Sequence, residues 1–111
     1  MRLGFLSRRP NPYRGEIAAC LDGKTYILRL SLAALVELEQ CYEGESITAL
    51  IARFGKGGLS AKDAVHIIRA GFFGAGLEIS ESEIAKMQMG TTPLAALELA
   101  TELLEAAFLP L

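Results

Sequence analysis

The sequence contains few of the side chains that enzymes most often use for chemistry. It has one histidine, His66, and two cysteines, Cys20 and Cys41, in 111 residues. No residue stands in a recognisable catalytic motif with His66, and the cysteines form no Cys-x-x-Cys pair. We therefore predict a non-enzymatic protein with no metal or cofactor site. His66 is interpreted as a surface or half-buried side chain. The cysteines are interpreted as buried free thiols, with one disulfide as the alternative.

Long apolar runs and a strong charge of either sign are also absent. The net charge is −2, which argues against general binding of nucleic acid. No apolar run approaches the roughly 18 to 20 residues that a membrane-spanning helix needs. The first residues include arginines but no apolar core of signal-peptide length. The sequence therefore predicts a cytoplasmic protein that binds neither nucleic acid nor membrane.

Apolar residues, by contrast, are abundant. They make up 51% of the chain, and the mean hydropathy is +0.33. An apolar surface larger than a monomer can bury predicts a protein partner or self-association as a homo-oligomer. The alternative is a helical core rich in alanine and leucine that leaves nothing apolar exposed. The arginines and prolines of residues 1–12 predict a flexible arm, with a basic arm that contacts an acidic partner or nucleic acid as the alternative. Residues 13–111 are predicted to form one domain.

The strongest local signal is a β-hairpin over residues 15–30. Asp22-Gly23 separates two extended runs, and this dipeptide favours a type I′ turn in which both central residues have positive φ. That turn fixes the register of the two strands. The predicted pairs are Leu21 with Lys24, Ala19 with Tyr26 and Ile17 with Leu28 on an apolar face, and Cys20 with Thr25, Ala18 with Ile27 and Glu16 with Arg29 on the other.

Five helices are predicted after the hairpin. Apolar residues recur at helical spacing over about residues 32–42, 47–54, 61–73, 81–88 and 93–108. Serine precedes each of the first four helices, where its side chain can cap the helix N-terminus. Glycines at 71, 74 and 76 predict the end of the third helix. The predicted fold class is α+β, with an N-terminal β-hairpin packed on a bundle of about five short helices. An additional edge strand, formed by the N-terminal arm and paired with the hairpin, is left open.

Five residues are candidates for contact with a partner. Leu35 and Leu38 lie on the first predicted helix, and Leu99 and Leu103 lie on the last, which is apolar over most of its circumference. Core burial is the alternative for all four leucines. Glu39 interrupts the apolar stripe of the first helix. It is interpreted as a residue that meets a partner or marks where the helix leaves the core; a paired-carboxylate site with Glu43 is the weaker alternative.

The order of several short motifs resembles the gene transfer agent family of phage-like proteins, which is grouped with phage tail assembly chaperones. The resemblance covers about residues 11–108. The motifs that carry it are Asn11-Pro12-Tyr13-Arg14-Gly15-Glu16, Leu21-Asp22-Gly23, the leucine-rich run Leu30 to Glu39, Leu59-Ser60-Ala61-Lys62-Asp63 and the segment Ala70 to Gly76.

The resemblance implies a non-enzymatic role in building a phage-like tail. The function that it first suggests is a chaperone that binds the apolar helical tape-measure protein while the tail tube assembles, with the tube protein as a second partner. The alternative is a structural component of the tail tube or neck. A tube protein is expected to be richer in strands than this chain. A regulatory binding module is the interpretation that would remain without the resemblance.

Overall fold

The computed structural model describes residues 9–108 and confirms the α+β fold. A short 3-10 helix, Pro12–Arg14, precedes a two-stranded antiparallel sheet and five α-helices. The bounds are β1 Glu16–Leu21, β2 Lys24–Arg29, α1 Leu32–Gln40, α2 Ile47–Gly55, α3 Ala61–Gly74, α4 Glu81–Lys86 and α5 Leu94–Phe108.

The hairpin has the predicted turn and the predicted register. Asp22 and Gly23 have φ values of 52° and 77°, the left-handed conformation that a type I′ turn requires. All six predicted strand pairs are present, from Glu16 with Arg29 to Leu21 with Lys24. The apolar face points inward, because Ala19, Leu21 and Leu28 are buried. The hairpin therefore forms one wall of the core, as a marginally stable two-stranded unit must.

Helix α3 contains more buried residues than any other described helix, and it lies at the centre of the fold. It packs against α1, α4, α5 and strand β2. Phe72 of α3 is fully buried, and its ring meets Tyr26 of the hairpin edge-on at a centroid distance of 5.0 Å. This contact joins the sheet to the helices, so α3 holds the two parts of the α+β fold together.

Serine side chains begin four of the helices, as predicted. In each case the hydroxyl oxygen accepts a hydrogen bond from the backbone N–H three residues later. The capping serines are Ser31, Ser46, Ser60 and Ser80. Ser60 with Asp63 and Ser80 with Glu83 form complete capping boxes, in which the acid accepts from the backbone N–H of the serine.

The end of α3 explains the glycines of its last turn. A Cβ on Gly74 would lie 1.9 Å from the carbonyl oxygen of Arg29, so only glycine lets the helix approach the end of β2 this closely. Gly76 then adopts φ 85°, and the N–H groups of Gly76 and Leu77 donate to Phe73 and Phe72. This pair of bonds is a Schellman motif, and it stops the helix as predicted.

Helical spacing predicts an inward apolar face on the first predicted helix that consists of Leu32, Leu35, Val36, Leu38 and Tyr42, and the structure confirms only part of it. Ala34 and Leu38 are buried, whereas Leu32 and Val36 are 79% and 46% exposed. The helix has more apolar residues than one face can hold, so the core accepts Ala34, and the two flanking aliphatic residues remain outside.

Residues 1–8, which are most of the predicted N-terminal arm, lie outside the described residues. The predicted edge strand from those residues lies outside them too. The last part of the arm contributes to the described fold. The side chain of Asn11 accepts a hydrogen bond from the N–H of Tyr13, and its backbone carbonyl accepts from the N–H of Glu16. The carboxylate of Glu16 in turn accepts from the N–H of Asn11. These bonds fix the chain where it enters the hairpin.

Candidate functional site

An apolar groove lies between α2 and α5. It has a volume of about 570 Å³. We call it the α2–α5 groove, and its lining comprises Ile51, Phe54, Gly55, Gly57, Leu59, Leu97, Thr101, Leu104, Glu105 and Phe108. Glu105 is the one ionisable side chain in that lining. The groove therefore offers apolar contact rather than chemistry, and burial of such surface stabilises a complex by roughly 25 cal/mol per Å² before the costs of association.

The groove follows from helices that carry more apolar residues than the core can hold. In α5, Leu99 and Leu103 point into the core, while Leu97, Thr101 and Leu104 recur at helical spacing on a second face. In α2, Leu50 and Phe54 are buried and Ile51 lies beside them, half-buried. The apolar second faces of α2 and α5 thus line opposite parts of one open groove.

A smaller apolar surface lies on α1. Leu32 and Val36 are one turn apart and both exposed, and Leu35 lies half-buried beside them. Such neighbouring exposed aliphatic residues are typical of surfaces that contact other proteins. The described part of the chain therefore carries apolar surface on two of its faces.

The structure puts three of the predicted contact leucines in the core. Leu38 and Leu103 have no exposed surface, and Leu99 is 8% exposed. Each packs within the single cluster of buried residues that α3 organises. These three side chains are not accessible to a partner. The prediction that they contact one is therefore corrected, and core burial, the alternative, applies to all three. Leu35 is the one of the four that reaches the surface.

Glu39 has an internal partner that the sequence did not suggest. Its Oε2 accepts a hydrogen bond of 2.8 Å from the N–H of Ile47, the first residue of α2. A carboxylate near a helix N-terminus satisfies an unpaired N–H and interacts favourably with the helix dipole. The acid on the apolar stripe of α1 therefore holds the start of the next helix.

A polar cluster surrounds Tyr42 at the end of α1. Its hydroxyl donates to the carboxylate of Asp63, and the Arg53 guanidinium lies 5.4 Å from the centre of its ring. Burial and then the Asp63 carboxylate raise the pKa of Tyr42. Burial alone would raise the pKa of Asp63, but hydrogen bonds from Tyr42 and Ser60, with Arg53 nearby, hold it below the usual value. The two shifts favour an ionised Asp63 and a neutral Tyr42 near neutral pH.

A second cluster contains Cys41, His66 and Glu81. His66 is buried, contrary to the surface or half-buried placement that we predicted, and its Nδ1 lies 2.5 Å from Oε2 of Glu81. One ligand-type atom from each of the three residues lies within 4.8 Å of the others. Burial and the negative charge of Glu81 raise the pKa of the Cys41 thiol, so the thiolate that a nucleophile requires is disfavoured.

Both cysteines are free, as predicted, but neither is fully buried: Cys20 is exposed and Cys41 is half-buried. Cys20 lies on the outer face of β1, opposite Thr25. The alternation of a strand sends successive side chains to opposite faces, so the burial of Ala19 and Leu21 leaves Cys20 outside.

The second cluster has no local sequence signature. Cys41, His66 and Glu81 come from three elements and are 25 and 15 residues apart along the chain. Only the packing of α1, α3 and α4 brings the three residues together. For the groove, a signal was present: the apolar residues of α5 cover most of its circumference, which predicts a second contact face.

Comparison with known proteins identifies the family. Within the described part of the chain, no helix has the length and apolar character that crossing a membrane requires. No curated protein and no solved structure matches the sequence significantly. A family model described as "Phage tail tube protein, GTA-gp10" matches residues 14–109, from the 3-10 helix to the end of α5. The chain therefore belongs to this phage tail tube protein family of gene transfer agents.

Proposed function

We propose that this protein is a structural subunit of a phage-like tail, in the tail tube or neck. The observation that carries the proposal is the family match, which covers both the hairpin and all five helices. The description of that family supports a structural role better than the chaperone role that the sequence resemblance first implied. The proposed partners are other tail proteins, including further copies of this chain.

The surfaces of the molecule fit this role. A subunit in a tail must contact neighbours on more than one side, and the α2–α5 groove and the exposed leucine and valine of α1 offer two apolar faces. Interfaces of this kind need no catalytic group, so the proposal includes no chemical step. We further propose that the subunit folds in the cytoplasm and is incorporated there.

Quantitative mass spectrometry of purified particles tests the proposal. A tube subunit should be present in many copies per particle and a neck subunit in a small fixed number. A protein that is abundant in the producing cell but absent from particles would contradict both assignments. Particles made without this gene product should also be examined by electron microscopy. If the protein is a structural subunit, their tails should be missing or truncated.

The chaperone is a second candidate, favoured by two observations. The described chain has only two six-residue strands, fewer than we expect of a tube subunit, and its groove between two helices suits an amphipathic helix. Co-expression with the tape-measure protein separates the two functions. Increased tape-measure solubility together with absence from particles would favour the chaperone; unchanged solubility together with incorporation would favour the subunit.

A further inference from the structure

Three side chains of metal-binding type converge where α1, α3 and α4 meet. Cys41 directly follows α1, His66 lies in the middle of α3, and Glu81 is the first residue of α4. We propose that Cys41, His66 and Glu81 form a binding site for one divalent metal ion of borderline softness, with Zn²⁺ as the first choice. The site would be separate from the apolar surfaces assigned to tail contacts.

The donor set matches the preference of zinc. Cysteine sulfur, imidazole nitrogen and carboxylate oxygen bind Zn²⁺ at about 2.0 to 2.3 Å, so ligands of one tetrahedral ion lie roughly 3.3 to 3.8 Å apart. The three donor atoms here lie within 4.8 Å of one another. His66 and Glu81 are closer than a shared ion allows, at 2.5 Å, so metal binding would replace their direct contact. Small side-chain movements would bring the more distant donor atoms together and would separate His66 from Glu81.

The structure fixes two of the ligands and leaves the third adjustable. The His66 side chain is 10% exposed, and its ring meets that of Tyr42 edge-on at 5.4 Å. The backbone N–H of Cys41 donates to Leu38, which ties the cysteine to the last turn of α1. The Glu81 side chain is 40% exposed and can rotate toward an ion. Two pre-positioned ligands lower the cost of ordering the site.

The charge balance also suits a dication. On binding, the ion would displace the proton of the Cys41 thiol, and the resulting thiolate together with the Glu81 carboxylate would neutralise a charge of +2. Arg69 is close enough to affect Cys41, but its guanidinium lies 3.4 Å from the carboxylate of Glu37, which offsets its charge. Three protein ligands leave a fourth coordination position, and the exposure of Glu81 opens it to water. The ion would connect α1, α3 and α4, which are distant in sequence.

Cobalt substitution tests the proposal directly. Purified full-length protein, kept reduced with a phosphine rather than a thiol, is titrated with Co²⁺ and then with competing Zn²⁺. We expect one Co²⁺ per chain, with a thiolate-to-cobalt charge-transfer band that Zn²⁺ removes. We also expect Zn²⁺ to raise the melting temperature. Absence of the thiolate band in the folded wild-type protein would overturn the proposal.

Matched variants assign the ligands. Cys41→Ser should abolish the thiolate band, while Cys20→Ser, which alters the exposed cysteine on β1, should retain it. His66→Gln and Glu81→Gln should weaken binding by more than the 10- to 100-fold that loss of an outer-sphere contact typically causes. A band that persists in Cys41→Ser or disappears in Cys20→Ser overturns the site. If Cys41→Ser fails to fold by circular dichroism, Glu81→Gln decides, and wild-type affinity in that folded variant overturns the site.

Discussion

Two acidic side chains, Glu39 and Asp63, hold helices at their beginnings, and the first of them was a candidate contact residue in the sequence. Glu39 accepts from the first N–H of α2, and Asp63 completes the capping box of α3 while binding the hydroxyl of Tyr42. Each acid lies beside apolar residues because the group that donates to it, the N–H of Ile47 for Glu39 and the hydroxyl of Tyr42 for Asp63, lies there as well. An acid on an apolar stripe is therefore not sufficient to indicate a binding site.

Replacing Glu39 should destabilise the protein through α2. We expect Glu39→Ala to lower the free energy of unfolding by about 0.5 to 2 kcal/mol, the usual loss for a helix-capping side chain. Gln40→Ala is the control, since Gln40 is exposed on the same helix and should have little effect. Urea denaturation of both variants gives the comparison. Equal stabilities would show that the Glu39 hydrogen bond contributes nothing.

Acid should reveal the ionised state of Asp63. Its pKa is lowered in the folded protein, so its contribution to stability is present above the ordinary aspartate pKa, about 3.9, and is lost as pH falls through the lowered value. Asp63→Asn removes that contribution at every pH. Wild type should therefore be more stable than the variant near pH 5, by about 1 to 3 kcal/mol.

The stability difference between wild type and Asp63→Asn should shrink as pH falls below about 4. Denaturant titrations at several pH values measure it directly, and other carboxylates cancel because both proteins carry them. A difference that stays constant down to the acid limit would contradict the lowered pKa of Asp63.

At the scale of elements, local signals predicted the hairpin and the helix starts. Long-range packing determines which helix faces and which side chains are buried. The Asp22-Gly23 turn and the capping serines depend on neighbours within a few residues, so the sequence alone identifies them. The inward face of α1 depends on how α3 packs against it, so helical spacing predicted Leu32 and Val36 to face inward, whereas the structure buries Ala34. The burial of His66 depends in the same way on α4, which lies 15 residues further along.

The close approach of α3 to β2 gives a sharp prediction. Gly74→Ala would place a methyl group against the carbonyl of Arg29, where backbone rather than a flexible side chain must move. We expect a loss of about 1 to 3 kcal/mol in the free energy of unfolding. Gly55→Ala, at the last residue of α2 with open space around it, is the control and should be neutral or slightly stabilising. Thermal denaturation distinguishes them; similar melting temperatures would contradict the contact.

For the whole molecule, the apolar groove predicts where assembly should fail. Thr101→Arg puts a charge into the α2–α5 groove from an exposed residue, so the fold should survive. Leu94→Arg is the matched control, because Leu94 is 64% exposed on the same helix and does not line the groove. We expect Thr101→Arg to reduce incorporation into particles at least tenfold, measured by mass spectrometry, with Leu94→Arg near wild type.

The outcome for the two arginine variants also locates the interface. If both variants incorporate normally, tail contacts do not use the groove, and the exposed residues of α1 become the surface to test. The family match concerns the whole chain and does not identify this surface, so the groove assignment depends on the geometry of α2 and α5 alone.

The hairpin turn is also a long-range contact. The backbone N–H of Asp22 donates to the carbonyl of Gln88, and its Oδ1 accepts from the N–H of Gln88 at 2.7 Å, across 66 residues of chain. Closing so large a loop is entropically costly, so this contact should form after the rate-limiting step of folding. Asp22→Gly keeps the left-handed turn but removes the side-chain bond. It should speed unfolding about fivefold, if the bond contributes about 1 kcal/mol, and leave the folding rate nearly unchanged.

Stopped-flow measurements of both rates test this order of events, with Asp22→Asn as the control that keeps an acceptor at the same position. A slower folding rate in Asp22→Gly would mean that the turn and the segment after α4 meet before the barrier. The same bond would then guide folding, as well as stabilising the native fold.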